Sequence, residues 1–259
     1  MATLRDLDPA DDRPVYRRIA DALREAIESG ELAPGDKLPS ETELTARYGV
    51  AGGTVRQALG VLRGEGIVVA EHGRGVFVRA RPRIRRLSYD RFARRHRSEG
   101  KAAYLAEAEQ EKTTPRVDVQ YVGRGPVDID AAERLGVERG VDVLVRRRLY
   151  FSDERPTEIA TSYVPWELAE GTSMVEENPG PGGIYARIEE QGHQLGHFTE
   201  EVTARMPTPD EVAALRLAPG TPVFRLLRSA YDEQGTPVEV CDTVMSADEW
   251  VLSYRLPAS

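Results

Sequence analysis

Two β-rich runs in the C-terminal half carry charged residues that could bind a small molecule. Because side chains alternate along a strand, Arg146 and Arg148 share one face of the run VLVRRRLYF. Glu158 and Ser162 likewise share one face of the following run, TEIATSYV. Guanidinium groups suit a carboxylate or a phosphate, and nearby carboxylates suit hydroxyls or an amine. The pattern fits a polar binding pocket and fits cross-strand ion pairs on a wet sheet surface equally well, so both interpretations stay open.

Residues for metal binding or covalent catalysis are scarce. Cys241 lies in the apolar run VEVCDTV, where a buried packing role is expected. His193 and His197 have the i, i+4 spacing of a metal pair, but glycines at 192 and 196 interrupt any helix there and no third ligand follows at a fixed spacing. No phosphate loop, nucleophile elbow or HExxH motif is present. We therefore predict no metal, no cofactor and no catalytic residues.

The net charge of −8 is unevenly distributed along the 259 residues. Residues 1–97 hold 19 Lys and Arg against 14 Asp and Glu, and the segment 81–97 holds eight arginines against one aspartate. A basic front joined to an acidic rear suggests a module that binds a polyanion, although a solvated charge run would look the same. One cysteine and no long apolar run predict a cytoplasmic protein without a membrane segment.

The elements that would position the basic front form a recognisable order over residues 13–80. A first helix follows Pro14 and ends at Gly30, and Ser40 with Glu43 forms a capping box that opens a second helix. A third helix begins near Gly52, and the runs IVVA and VFVR flank the turn EHGRG as a hairpin. Three short helices and a hairpin predict a winged helix-turn-helix whose third helix enters the major groove of DNA.

The stretches PGDKLPSE, YGVAGGTVRQAL and HGRG carry a resemblance to the DNA-binding domain of GntR-type bacterial regulators. The resemblance covers the whole front module. It implies DNA contacts from the start of the second helix, the start and body of the third helix, and the tip of the wing. By position, the implied residues are Ser40, Thr42, Gly52, Gly53, Thr54, Arg56, Gln57, His72, Gly73 and Arg74.

Thr42 and Gly52 depart from the family pattern, in which arginine is common at both positions. Glycines at a helix start expose backbone N–H groups and let the backbone approach a phosphate closely. The alternative is that Gly52 and Gly53 form only a flexible turn. We expect this protein to read a different operator, or to depend more on phosphate and wing contacts.

The C-terminal half contains an internal repeat, in which residues 129–164 align with residues 210–245. Each copy is predicted to form a short helix, a strand, a polar turn and a returning strand. Between the copies lie a predicted helix over 182–192 and a strand over 197–206. Two such units predict an α+β fold, a pseudo-symmetric antiparallel sheet with helices packed on one side.

This half resembles the ligand-binding domain of the HutC subfamily, called UTRA, which is similar in fold to chorismate lyase. The resemblance is carried by the arginine strand, TSYVP, and YDEQGTPVE. It implies an effector site built from both hairpins. The implied residues are Arg146, Arg148, Glu158, Ser162, Thr199, Glu201, Tyr231 and Glu239. Ala160 stands where the family often has glutamate, so the ligand does not follow from the family.

The resulting expectation is a DNA-binding transcriptional regulator, expected to be a repressor. A homodimer would bind a double-stranded operator under the control of a small-molecule effector, with an anionic metabolite among the candidates. The rival is a metabolic enzyme or sensor of chorismate-lyase-like fold with a helix-turn-helix that does not bind DNA. The predicted parts are a flexible arm over 1–12, the winged helix-turn-helix over 13–80, a basic linker over 81–90, and the effector-binding and dimerisation domain over 91–257.

Overall fold

The computed structural model describes residues 4–71, 73–80, 84–87 and 113–255. The chain divides into two compact units. The N-terminal unit consists of Met1–Arg81 with Leu217–Thr221, and the C-terminal unit consists of Pro82–Arg216 with Pro222–Ser259.

The N-terminal unit is a winged helix-turn-helix. Its helices are α1 (Val15–Glu28), α2 (Glu41–Tyr48) and α3 (Gly52–Gly64), and its wing pairs β1 (Val68–Glu71) with β2 (Gly75–Val78) in antiparallel register. The predicted three helices and hairpin are therefore confirmed. The core of the unit is apolar and includes Ile19, Leu23, Leu44, Val55, Leu59, Leu62 and Val68.

Local signals set the tight turn between α2 and α3. The Ser40 hydroxyl accepts a hydrogen bond from the Glu43 N–H, and the Glu43 carboxylate accepts one from the Ser40 N–H, which completes the predicted capping box. Gly49 ends α2 in the left-handed conformation that glycine adopts without strain. These two signals fix where α3 can begin.

The chain before α1 packs onto this unit. Leu4 is buried in the core, and Leu7 packs against it. The Arg47 side chain donates a hydrogen bond to the Leu4 carbonyl and pairs with Asp6. The flexible arm predicted over residues 1–12 is therefore corrected for its described part, because Leu4 contributes to the same apolar core as the helices.

The C-terminal unit is built on a six-stranded antiparallel sheet of order β4-β5-β6-β9-β8-β7. A separate pair joins β3 and β10 in parallel. The strands are β3 (Ile84–Leu87), β4 (Pro115–Pro126), β5 (Asp142–Ser152), β6 (Arg155–Val164), β7 (Leu195–Arg205), β8 (Val223–Asp232), β9 (Pro237–Ser246) and β10 (Trp250–Ser253). The helices are α4 (Ile129–Leu135), α5 (Trp166–Ala169), α6 (Gly183–Glu190) and α7 (Pro209–Leu215), with a 3₁₀ turn at Ser173–Val175.

The structure confirms the internal repeat. Each copy is a helix followed by a hairpin, α4–β5–β6 and α7–β8–β9, and the two copies meet where β6 pairs with β9. Asp128 caps α4, and Thr208 with Glu211 forms a capping box at the start of α7. The α+β fold class is therefore confirmed.

Helices cover both faces of the sheet rather than one side as expected. α4 packs on the face that carries Val143 and Val240. On the opposite face, α5, α6 and the 3₁₀ turn cover one end, where Leu144 and Val164 lie. At the other end of that face, residues of β3 and β10 pack against Leu226 and Met245. Consecutive residues of β5, such as Val143 and Leu144, are both apolar and buried, so both faces of the strand require cover.

The boundary between the units lies earlier than predicted. Ile84–Leu87, inside the predicted linker over 81–90, is strand β3 of the C-terminal unit. Ile84 belongs to the small core formed with Trp250, which explains why this segment pairs instead of remaining a linker. The remainder of the arginine run, residues 81–83 and 88–97, lies outside the described residues.

Candidate DNA-binding surface and effector site

The predicted recognition residues lie on the outer side of α3. Val55 and Ala58 are buried in the core, whereas Arg56 and Gln57 are exposed between them. Gly52 and Gly53 form the first turn after Ala51, the N-cap residue, whose side chain makes no capping hydrogen bond. The N–H groups at the start of α3 therefore have no side-chain cap within the described residues. Thr54 is partly exposed on the same turn.

The start of α2 contributes two of the predicted residues, with different environments. Thr42 is exposed and available for a contact. Ser40 is exposed as well, but its hydroxyl serves the capping box with Glu43. Its first role is therefore to fix α2, and a DNA contact from Ser40 stays a prediction.

The wing turn places Gly73 and Arg74 at its tip, both exposed. Gly73 has φ 71° and Gly75 has φ 122°, so the turn uses the conformations that favour glycine. The Arg74 side chain pairs with Glu71 and lies 5.4 Å from the centroid of the Phe77 ring. His72, the remaining predicted wing residue, lies outside the described residues.

One row of polar side chains crosses five strands of the C-terminal sheet. Cross-strand partners in an antiparallel sheet share a face, and the register links each member of this row to the next. We call it the central row, and it consists of Arg146, Ser162, Cys241, Arg228 and Glu200. It lies on the face that the short helices cover at one end and β3 with β10 at the other, so the polar groups occupy the middle of that face.

Arg228 is the centre of a buried hydrogen-bond network in this row. Its Nε donates to the Tyr185 Oη at 3.0 Å, and its Nη2 lies 3.4 Å from Glu239 Oε1. Tyr185 donates in turn to Glu239 Oε2 at 2.8 Å. Burial acts to lower the pKa of Arg228, but the oxygens of Tyr185 and Glu239 raise it above its ordinary value, so the guanidinium stays charged.

Arg148 lies on the same face and is only partly buried. Its Nη2 donates to Ser162 Oγ at 2.5 Å, and its Nε has no hydrogen-bond partner within the described residues. Arg148 therefore has a donor left for a bound anion. Glu158, on the same face one strand away, is also buried.

Arg146 has a different environment from the one the resemblance implies. Its terminal nitrogens donate to the backbone carbonyls of Met174 and Glu176, and to Glu177 O at 2.9 Å. Burial, with a smaller effect from the charge of Arg148, lowers the pKa of Arg146 to about 10. The described contacts give Arg146 the task of holding the loop around the 3₁₀ turn.

Three of the predicted effector residues lie on the opposite face of the sheet. Thr199 and Glu201 flank Glu200 on β7, so they point away from the central row, and both are exposed. Glu201 pairs with Arg134 at 2.6 Å, and Tyr231 stacks on His197 with ring centroids 4.6 Å apart. The structure thus brings Arg146, Arg148, Glu158, Ser162 and Glu239 to one face and separates Thr199, Glu201 and Tyr231 from them.

Sequence reasoning missed three residues of this face: Tyr185, Arg86 and Glu200. Arg86 and Glu200 form a buried pair joined by hydrogen bonds of 2.9 and 2.5 Å. Tyr185 belongs to a helix between the repeats, where the repeat alignment gives no information. Glu200 differs from the predicted Glu201 by one position, and only the strand register separates them.

Neither a metal site nor a membrane-spanning helix is found among the described residues. They contain no group of three or more His, Cys, Asp or Glu side chains placed to hold a metal ion. No helix among them is both long and apolar enough to cross a membrane.

Comparison with known proteins places both units in described families. Residues 15–78 match the family of bacterial regulatory proteins called gntR, and residues 110–250 match the UTRA domain. The chain is 33% identical to the HTH-type transcriptional regulator SCO4628 of Streptomyces coelicolor, over 95% of this chain and 94% of that protein.

One further relative and one solved structure are also similar to this chain. The HTH-type transcriptional repressor NagR of Bacillus subtilis is 27% identical, over 94% of this chain and 95% of NagR. A solved GntR-family transcriptional regulator superposes with a TM-score of 0.67 at 28% identity, covering 96% of this chain and 99% of that one. These names are those of regulators rather than enzymes. The chain belongs to the GntR family of transcriptional regulators and carries a UTRA domain.

Proposed function

We propose that this cytoplasmic protein is a repressor that binds an operator as a homodimer and responds to a small anionic effector held by the UTRA domain. The DNA contacts are those of α3, the start of α2 and the wing. The effector contacts are those of Arg148 and Ser162 on β5 and β6, with Arg228 and Glu239 on β8 and β9.

The proposal of DNA binding is supported by the residues exposed on the outer side of α3. Arg56 and Gln57 are exposed beside an uncapped helix start formed by two glycines. Backbone N–H groups at such a start favour a phosphate, and an arginine one turn further along can reach a base edge. The name of NagR as a repressor supports the direction of regulation.

The proposal of an anionic effector is supported by the environment of Arg148. Arg148 is partly buried, its Nε has no hydrogen-bond partner within the described residues, and the neighbouring Arg228 is engaged by Tyr185 and Glu239. A partly buried guanidinium with an open donor favours a carboxylate or a phosphate over a neutral ligand. Arg146 supports the loop beside the site, so we assign it a positioning role.

Regulation would follow from a preference of the effector for one dimer geometry. Two winged modules bind half-sites about one helical turn apart. An effector that prefers a geometry with another spacing lowers operator affinity, and a difference of about 1–3 kcal/mol is enough for regulation.

Two measurements test the proposal. Binding of the full chain to duplexes selected from a randomised pool should weaken steeply with salt, and Arg74→Ala should reduce the log–log slope by about one. A thermal-shift screen of carboxylates and phosphates should find a ligand that stabilises the wild type, because a ligand that binds the native state raises its stability.

Matched variants locate the effector site. Arg148→Gln should abolish the thermal shift, whereas Arg147→Gln should retain it, since Arg147 is exposed on the opposite face of the sheet. A chain that shows no salt-sensitive DNA binding, or a ligand shift that survives Arg148→Gln, would contradict the corresponding part of the proposal.

A further inference from the structure

A contact between Glu41 and Arg56 joins the first turn of α2 to α3. Arg56 Nη1 lies 3.3 Å from Glu41 Oε2. The same nitrogen lies 3.7 Å from the point where a β-carbon would stand on Gly52. Apart from residues 51 and 53, no other side chain in the described part of the chain lies within 4 Å of that point. The Arg56 guanidinium therefore lies over the side-chain-free start of α3, held there by a carboxylate from α2.

Folding stability does not account for this pair. The side chains of Arg56 and Glu41 are 64% and 49% exposed, and exposed ion pairs contribute little to stability. A carboxylate on a surface that faces phosphates also repels them, so its presence reduces affinity for DNA in general. The Glu41 carboxylate can stabilise the start of α2 without any contact to Arg56, because it lies in the first turn of that helix. The contact with Arg56 adds little to that stability, so it is best explained by what it does to the Arg56 side chain.

Glu41 is well placed to fix the position of that neighbour. It is the first residue of α2, directly after Ser40, whose capping box with Glu43 fixes this end of the helix. A free arginine side chain samples many rotamers, and ordering it on binding costs conformational entropy. An arginine whose side chain is already held in one direction loses less conformational entropy on binding. It can then select one base by a bidentate contact.

We propose that Glu41 is a positioning residue that sets the base specificity of Arg56, and that Gly52 provides the space in which the Arg56 guanidinium lies. This inference rests on the proposed DNA binding by α3. Arg56 would then read the base pair that faces the start of the helix. Arg56, held by the Glu41 carboxylate in the space that Gly52 leaves, would determine which base pair the operator of this protein has opposite the start of α3.

The space around Gly52 leads to a separate prediction about substitutions at this position. A β-carbon there would meet Arg56 Nη1 at 3.7 Å, an ordinary van der Waals distance, so Gly52→Ala leaves Arg56 in place. An arginine at the same position would extend through the space that the Arg56 guanidinium occupies and would repel it. Gly52→Arg should therefore change the selected sequence, whereas Gly52→Ala should not.

The experiment selects duplexes from a pool of randomised double-stranded DNA with the full-length wild type and then measures the relative affinity for each base at each position. Glu41→Gln should reduce the discrimination at one base pair of each half-site by about tenfold, the usual range for a lost bidentate contact. The same variant should bind non-specific DNA at least as tightly as the wild type, because a negative charge has been removed. Loss of folding would weaken binding to every sequence and cannot produce this combination.

Glu31→Gln is the matched control, because it removes the same charge from an exposed residue in the loop after α1. It should leave the base preferences of the wild type unchanged. If Glu41→Gln keeps the wild-type preference at every position, or weakens all sequences equally, the positioning role of Glu41 is overturned. If the wild type itself enriches no sequence, the proposed function fails instead, so the two failures are distinguishable.

Discussion

Arg86 and Glu200 form a buried ion pair with two hydrogen bonds, of 2.9 and 2.5 Å, between strand β3 and the edge strand β7. Their side chains are 2% and 9% exposed. Glu200 also faces Arg228 across β7 and β8, so the pair adjoins the hydrogen-bond network around Arg228. Strand β3 has four residues and pairs only with β10 within the described residues, which makes this ion pair a main attachment of β3 to the large sheet.

Removing one partner of this pair should destabilise the protein strongly. Glu200→Gln or Arg86→Met leaves a buried charge without its main counter-ion, at a cost of about 3–5 kcal/mol in the free energy of unfolding. The double variant Arg86→Met with Glu200→Leu should recover most of this loss, since a well-packed apolar pair often replaces a buried ion pair without cost. Urea denaturation of the three variants measures the effect, and equal losses in the single and double variants would argue against a buried pair.

Arg146→Met should loosen the loop that contains the 3₁₀ turn. The substitution removes the hydrogen bonds to the carbonyls of Met174, Glu176 and Glu177, and we expect a loss of about 3 kcal/mol in stability. Limited proteolysis should show faster cleavage near Ser173–Val175. Arg147→Met is the control, because Arg147 is exposed on the other face, and faster cleavage in that variant too would contradict the specific role of Arg146.

Tyr185→Phe should weaken the network without removing a charge. The phenol accepts from Arg228 Nε and donates to Glu239 Oε2, so its loss affects two buried ionised groups. We expect a loss of about 2 kcal/mol in stability, the range for hydrogen bonds to charged groups. The ring stays in its edge contact with Phe198, 5.4 Å between centroids, so packing is retained. A thermal melt of Tyr185→Phe indistinguishable from that of the wild type would show that water replaces the phenol.

Asp232 should make stability depend on pH in the acid range. The buried carboxylate accepts from the backbone N–H groups of Gln234 and Thr236 and contacts His193 Nδ1 at 2.9 Å. Burial acts to raise its pKa, but the His193 contact and the two N–H groups outweigh it and lower the pKa below the ordinary 3.8. A lowered pKa means that the folded state binds the proton less tightly than the unfolded state.

The contribution of Asp232 is therefore fully present above the pH at which the unfolded carboxyl titrates, and it is lost as the pH falls through the folded pKa. Asp232→Asn should lose about 2 kcal/mol at neutral pH. Relative to the wild type, it should show a shallower fall in stability below about pH 4. Denaturation curves between pH 3 and 7 measure the free energy of unfolding of both proteins. If its pH dependence is the same in both, Asp232 is not the cause of the loss of stability in acid.

The elements of the N-terminal unit could be predicted because their signals are local. The capping box at Ser40 and Glu43, the left-handed Gly49 and the wing glycines each specify a turn within a few residues. The hairpins of the C-terminal unit could be predicted from the repeat, since two copies of one pattern fold in one way.

The assignment of site residues to a face could not be predicted equally well. Glu200 and Glu201 are the same residue type on an edge strand, and a shift of one residue exchanges their faces. Arg146 and Arg148 share a face as predicted, but backbone carbonyls from a distant loop bind Arg146. Such contacts depend on where a loop returns, which no local pattern encodes.

The parallel pairing of β3 with β10 has a consequence for protein synthesis. The ribosome releases Ile84–Leu87 well before Trp250–Ser253, and domains generally fold in order of their release. The winged helix-turn-helix can thus be complete while the C-terminal unit still lacks the strand that pairs with β3. A nascent or prematurely terminated chain would therefore carry a folded N-terminal unit and a C-terminal unit in which Ile84–Leu87 has no partner strand.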